Sequence, residues 1–284
     1  MLASLVIVFR EVLEAGLIVG VVLAATEGIA GRAAWIAGGI GAGVVGSILL
    51  ALFAGTLAGA FAGAGQELFT ASILIAATAM LGWHQIWMAS HGREIAREMR
   101  TMGRDVALGR RSLWAMGLVV AIAVLREGAE VVLFLYGIAV AGHEGWPALF
   151  AGGTAGVLLG MLVSYLLYRG LVAIPLSRLF AVTGVLIALL AAGMAGQAAA
   201  ILAGADLIPA WGFELWDTSW LLPEDSLLGR TLHALIGYAD RPMGVQLAAW
   251  AAVLALLLLG SRLVGSRAAS SPAPGRATPA RIRR

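Results

Sequence analysis

Seven long apolar segments dominate this chain, and each is long enough to cross a bilayer as an α-helix, which takes about 20 apolar residues. Their approximate limits are 2–26, 34–60, 68–90, 113–141, 148–169, 177–203 and 244–264. The composition agrees, because 61% of the residues are hydrophobic and only 12% are charged. We therefore predict an all-α polytopic membrane protein with seven transmembrane helices.

Charged residues between the segments predict the orientation. The connection 91–112 and the tail 265–284 are rich in arginine, and they lie on one side of the membrane if there are seven spans. The connection 204–243, on the other side, is acidic. Because basic connections stay in the cytoplasm, we expect the N-terminus outside and the C-terminus inside, in the cytoplasmic (inner) membrane. We expect the tail to be disordered, and the basic connection to contact anionic lipid rather than nucleic acid.

The pattern R-E-x-x-E occurs twice inside apolar segments. Its members are Arg10, Glu11 and Glu14 in the first segment, and Arg126, Glu127 and Glu130 in the fourth. A charge at the bilayer centre costs about 2.5–3.5 kcal/mol on insertion scales. Such groups must therefore be stabilised by pairing or by a ligand, which favours an ion pathway.

The spacing of the two motifs predicts an internal repeat. Each motif begins a group of three segments, which gives repeats over 1–90 and 113–203, followed by the seventh segment at 244–264. Because three is odd, the two groups enter the membrane from opposite sides and form an inverted repeat. Both motifs are then expected near the bilayer midplane, where a two-fold axis would bring them together.

The residue types in the motifs favour a metal cation. On a helix, Glu11 and Glu14 share a face, and Glu127 and Glu130 do the same. Four carboxylates around one point suit a cation that prefers oxygen ligands. With the two arginines the cluster has a net charge of −2, which a divalent ion would neutralise. We expect protons to occupy the empty site and to leave when metal enters.

Other interpretations of the motifs are structural or enzymatic. Each motif could be an internal ion pair that fixes helix packing, although one glutamate per motif would then have no arginine. An intramembrane metal-dependent protease normally needs histidine ligands. The histidines lie near segment ends without ligand spacing, so we expect neither a histidine ligand nor an enzyme; they are His84, His91, His143 and His233. A sensor that binds metal without transporting it stays open.

Two R-E-x-x-E helices in a seven-span chain resemble the oxidase-dependent iron permease family, which comprises fungal high-affinity iron permeases and bacterial EfeU-type proteins. Segments 215–220 and 237–242 resemble the last extracellular loop of the bacterial branch, and the resemblance extends to about residue 265. It implies uptake of Fe²⁺ or Fe³⁺ without a prosthetic group. It also implies an iron-oxidising partner, such as a multicopper oxidase or a periplasmic cupredoxin-type protein.

The resemblance also implies roles for particular residues. Its metal-binding groups correspond to Glu11, Glu14, Glu127 and Glu130, accompanied by Arg10 and Arg126. Glu67, near the outer end of the third segment, resembles an acidic position of the family and is expected where metal enters. It is alternatively a carboxylate stabilised by a helix N-terminus. A permease for another oxygen-seeking cation, manganese or lead, is the closest alternative function.

Overall fold

The computed structural model describes residues 1–60, 66–140, 145–170 and 176–270, and their regular structure is helical. The helices are α1 (Leu2–Ala25), α2 (Arg32–Ala60), α3 (Gln66–Ala107), α4 (Leu113–Val140), α5 (Trp146–Tyr168), α6 (Leu176–Gly204), α7 (Leu227–Ile236) and α8 (Gly244–Ser270). Five of them, α2, α3, α5, α6 and α8, contain a stretch long and apolar enough to cross a membrane. The fold is therefore that of an all-helical polytopic membrane protein.

Helices α1 and α4 are of comparable length, with 24 and 28 residues, but each contains the three charged residues of its motif. Their apolar character alone therefore does not identify them as spans. Most of the predicted tail, from residue 271, lies outside the described residues, and so do residues 61–65, 141–144 and 171–175.

Helix α3 continues well past the predicted end of the third segment. It has 42 residues and includes most of the basic connection 91–112. Met102 and Val106 are buried, and Val106 belongs to a cluster with Val22 of α1 and Met116 of α4. Arginines on the other face are exposed, namely Arg97, Arg100 and Arg104. The helix continues because its apolar stripe continues at helical spacing. The position of the membrane surface along it stays a prediction.

Helix α5 packs on α1 along a row of glycines. Gly152, Gly156 and Gly160 are all buried. A Cβ atom at Gly156 would lie only 2.7 Å from the carbonyl oxygen of Leu5, and one at Gly160 only 2.8 Å from Cβ of Val12. Small residues let two helix backbones approach closely where lipid supplies no hydrophobic driving force. This interface fixes the position of the helix that carries the first motif.

Packed helices alternate in direction along the chain. Helix α4 is antiparallel to α3, because Gly137 lies near Ala77 whereas Glu130, earlier in α4, lies near His84 further along α3. Helix α6 is also antiparallel to α3, and α8 is parallel to it. Helix α5 is parallel to α1, and α4 is parallel to α2. Helices α1, α3, α5 and α8 therefore run one way, and α2, α4 and α6 run the other way.

The connection between α6 and α8 is folded onto the helices. It contains α7, which sequence reasoning did not predict. Segments 215–220 and 237–242 pair with each other, because the Leu215 N–H donates to the Pro242 carbonyl at 3.1 Å and the Thr218 N–H to the Asp240 carbonyl at 2.9 Å. Both segments that carry the resemblance thus belong to one unit. The indole N–H of Trp250 in α8 donates to a carbonyl at the end of α7 and joins this unit to the helix bundle.

Candidate metal centre

Three helices bring acidic and histidine side chains to one buried point. Helix α1 contributes Glu11 and Glu14, and α4 contributes Glu127 and Glu130, because a spacing of three residues places both carboxylates of a motif on one helix face. Helix α3 contributes His84. All five side chains are buried, with Glu130 the most exposed at 8%. The structure therefore brings the two motifs together at one buried point.

Four of these residues lie close enough together to hold a metal ion. Glu11, His84, Glu127 and Glu130 each place one ligand atom within 4.8 Å of the ligand atoms of the others. An ion bound by oxygen and nitrogen lies about 2.0–2.4 Å from each ligand. Small side-chain movements would therefore bring all four atoms to one ion. Glu14 lies outside this set.

Several buried carboxylate oxygens in the cluster lack a hydrogen-bond partner among the described residues. These atoms are both oxygens of Glu11 and Oε2 of Glu14, Glu127 and Glu130. A buried acceptor left unsatisfied costs about 1–3 kcal/mol, and more when it is charged. Native structures contain few such groups, so a concentration of them at one point calls for a specific cause. A cation bound among them would supply that cause.

His84 lies between the two motifs. Its Nδ1 is 2.6 Å from Oε2 of Glu130, and its Nε2 is 3.3 Å from Oε2 of Glu14. Neither contact has the direction of a hydrogen bond, and both ring nitrogens lack a hydrogen-bond partner in the part of the chain that is described. The ring therefore approaches both acidic pairs without being fixed by either.

The structure places His84 beside both motifs, although sequence reasoning expected no histidine ligand. That reasoning placed His84 near the end of a segment closing at residue 90, whereas α3 continues to Ala107 and holds the histidine in its interior. A signal was present in the sequence, because Leu74, Ala77 and Leu81 lie ten, seven and three residues before it on a common helix face. All three are fully buried. A histidine on the core-facing stripe of an apolar helix points into the bundle.

The two motif arginines have different surroundings. Arg10 donates from Nε to Oε1 of Glu14 at 2.9 Å, and both side chains are buried. Arg126 donates from Nε to Oε1 of Glu130 at 3.3 Å, but its side chain is 40% exposed. Its guanidinium group also lies 4.6 Å from the centre of the Trp87 ring. The site is thus closed by protein at Arg10 and less enclosed at Arg126.

The remaining candidates lie away from the cluster. Glu67 is exposed in the first turn of α3, about 25 Å from His84 along the helix axis. Its role where metal enters stays a prediction. His91 stacks on Trp87 with ring centres 5.0 Å apart, and His233 lies 3.0 Å from Glu224 in the connection after α6. His143 is not among the described residues.

Comparisons with known proteins identify the family of the chain. The iron permease FTR1 family matches residues 1–267. The ferrous iron permease EfeU of Shigella flexneri is 30% identical over 187 residues, covering 65% of this chain and 78% of that protein. EfeU of Escherichia coli O6:H1 strain CFT073 is 31% identical, covering 65% of this chain and 67% of that protein. No solved structure matches the chain. Because the family match spans nearly all of its length, this multi-pass inner-membrane protein belongs to the iron permease FTR1 family.

Proposed function

We propose that this protein moves iron across the inner membrane through the buried site where its two motifs meet. Glu11, Glu127 and Glu130 bind the ion in transit, and Glu14 lies at the edge of the site. The proposal rests on the buried carboxylate oxygens of both motifs, which have no hydrogen-bond partner among the described residues. Membership of the iron permease family and similarity to proteins named ferrous iron permeases support iron as the cargo.

In this proposal α1 and α4 also span the membrane, which gives seven spans in total. The four motif glutamates and Arg10 are tolerated because they are buried at the shared site and not exposed to the lipid. The alternating helix directions fit seven successive crossings. Glu11 lies about 14 Å along α1, close to the middle of a core about 30 Å thick. The arginine-rich connection and tail favour an outside N-terminus and an inside C-terminus.

The helix contacts support an inverted repeat of α1–α3 and α4–α6. The two most extensive interhelical interfaces join α1 to α5 and α2 to α4. Exchanging the halves of the chain converts one interface into the other, as a two-fold axis in the membrane plane requires. Transport then proceeds by a rocking movement of one three-helix unit against the other, which exposes the central site to each side in turn.

The acidic surface of the outer side has a supporting part in this proposal. Glu67 and the acidic connection after α6 raise the local concentration of cations electrostatically. An iron-oxidising partner on this side is a further prediction from the family resemblance. Iron is the transported substrate here, and the proposal requires no prosthetic group.

Radioactive iron uptake into proteoliposomes tests the proposal, with Fe²⁺ and Fe³⁺ compared. We expect Glu11→Gln, Glu127→Gln and Glu130→Gln to abolish uptake, because each removes a negative ligand from a buried site. Glu27→Gln is the matched control, since Glu27 is an exposed carboxylate in the turn after α1. Full uptake in all three site variants would refute the assignment.

Measurements on the same proteoliposomes distinguish an iron permease from a permease for another cation and from a metal sensor. A permease for manganese or lead would be recognised by competition, because those ions would suppress iron uptake at lower concentrations than iron itself requires. A protein that only senses metal would bind iron but would show no counterflow of preloaded iron. Transport of iron with counterflow supports the permease.

A further inference from the structure

We propose that His84 is a nitrogen ligand of the transported ion and that it makes the site select transition-metal dications such as Fe²⁺ over Ca²⁺ and Mg²⁺. This inference rests on the proposed function, because it assigns the substrate class of the same site. It adds a residue from outside both motifs.

The position of His84 supports ligation. The ligand atoms of His84, Glu11, Glu127 and Glu130 all lie within 4.8 Å of one another. The histidine therefore has the same access to the cluster centre as the carboxylates. Both motif helices reach this centre with glutamates, and α3 reaches it with an imidazole.

The surroundings of the ring are those of a metal-binding histidine. Such a histidine almost always donates its other ring N–H to a carboxylate, which fixes the orientation of the ring. His84 has carboxylates at both ends, with Glu130 at Nδ1 and Glu14 at Nε2. Glu14 is itself held by Arg10 at 2.9 Å. If Nδ1 binds the ion, Glu14 is near enough to accept from Nε2 after a small rotation of the ring.

A purely structural histidine would look different. It would join α3 to its neighbours through directed hydrogen bonds, since a buried polar group without them is costly. The His84 side chain is only 2% exposed. Neither of its ring nitrogens makes a directed hydrogen bond within the described residues. Each nitrogen lies beside a carboxylate, so one nitrogen can bind an ion together with its neighbouring carboxylate while the other keeps its own carboxylate neighbour.

The donor set determines which ions are favoured. Carboxylates alone suit Mg²⁺, Ca²⁺ and Mn²⁺, whereas imidazole suits iron, zinc, copper and nickel. Three carboxylates with one imidazole therefore favour Fe²⁺ over the abundant Ca²⁺ and Mg²⁺. Removing the imidazole while keeping the glutamates is expected to remove much of that preference.

The test compares His84→Gln with His91→Gln, the same substitution about 10 Å further along α3. In proteoliposomes we expect His84→Gln to raise the KM for Fe²⁺ about tenfold or more, the order of effect seen when support of a metal site is lost. Millimolar Ca²⁺ or Mg²⁺ should then inhibit its uptake of Fe²⁺. His91→Gln should behave like the wild type in both respects.

X-ray absorption on Fe²⁺-loaded protein supplies a readout that does not depend on transport. The scattering signature of an imidazole ligand should be present in the wild type and in His91→Gln, and absent from His84→Gln. An iron-loaded wild type without that signature overturns the inference even if the variant does not fold. Unchanged selectivity in a folded His84→Gln protein overturns it too.

The two proposals fail in different ways. If Glu11→Gln abolishes uptake while His84→Gln keeps wild-type selectivity and the imidazole signature, only the role of His84 is wrong. If the glutamate variants transport iron normally, or the wild type binds no iron, the proposed function is wrong.

Discussion

The arginines of the two motifs occupy equivalent sequence positions but differ in burial, and this difference predicts unequal effects on stability. Arg10 is buried against Glu14, with side chains 5% and 3% exposed. Arg126 pairs with Glu130 while its own side chain is 40% exposed. Substitution of Arg10 by glutamine should therefore destabilise the protein far more than the same substitution of Arg126.

The expected magnitudes follow from these surroundings. Removing one partner of a buried ion pair leaves an uncompensated charge and costs about 3–5 kcal/mol. A pair with one partly exposed member contributes about 0–1 kcal/mol, and the stacking of Arg126 on Trp87 adds about 0.5–1 kcal/mol. Arg10→Gln should thus lower the free energy of unfolding by about 1–4.5 kcal/mol more than Arg126→Gln does.

Unfolding by sodium dodecyl sulfate in mixed micelles, followed by circular dichroism, measures this difference. Arg100→Gln, at an exposed position of α3, is the control and should change stability little. The double variant Arg10→Gln with Glu14→Gln should recover much of the loss, because it also removes the stranded carboxylate. Equal losses for Arg10→Gln and Arg126→Gln, or no recovery in the double variant, would refute the reasoning.

Three further predictions concern packing, pH and metal. Gly156→Leu should destabilise the protein by at least about 1–3 kcal/mol, because the side chain would enter the backbone of α1; Gly38→Leu, facing open space, is its control in the same unfolding assay. Hydrogen bonds from Ser219 and the charge of Arg241 lower the pKa of Asp217. The ionised carboxylate of Asp217 therefore stabilises the connection fully above the ordinary pKa of aspartate, and this stabilisation is lost as the pH falls through the lowered pKa. The protease resistance of the 204–243 connection should therefore be lower in Asp217→Asn than in the wild type at pH 7, and the two should converge below about pH 4; a constant gap would contradict this. Fe²⁺ at 100 times its Kd should stabilise the wild type by about 2.7 kcal/mol, an effect that a chelator reverses and that Glu11→Gln lacks.

Much of the architecture could be predicted from local patterns. The predicted segments coincide with helices to within a few residues, with two exceptions. Helix α3 continues to Ala107, and α8 continues to Ser270, so residues 265–270 are helical although they were predicted to belong to a disordered tail. The motif spacing placed Glu11 with Glu14 and Glu127 with Glu130, because a helix fixes which side chains share a face. The seventeen residues beyond position 90 were assigned to a connection because their charge masked an apolar stripe that packs against α1 and α4.

The proposed ligand set could not be predicted from the motifs. Sequence reasoning treated the four glutamates as equivalent, whereas the structure groups three of them with His84 and leaves Glu14 with Arg10. The equivalence fails because it depends on where α3 places His84 relative to each motif helix. That placement follows from interhelical packing, of which the contacts of Gly156 and Gly160 with α1 are one part.

The sequence by itself determined the membrane class, the helices and the two acidic motifs, because hydrophobic length and helical periodicity are properties of short stretches of chain. Only the tertiary structure decided that α3 inserts His84 between the motifs and that Arg10 is enclosed while Arg126 is partly exposed. These features depend on the approach of helices distant in sequence. That approach is set by packing over the whole bundle, which no local pattern records.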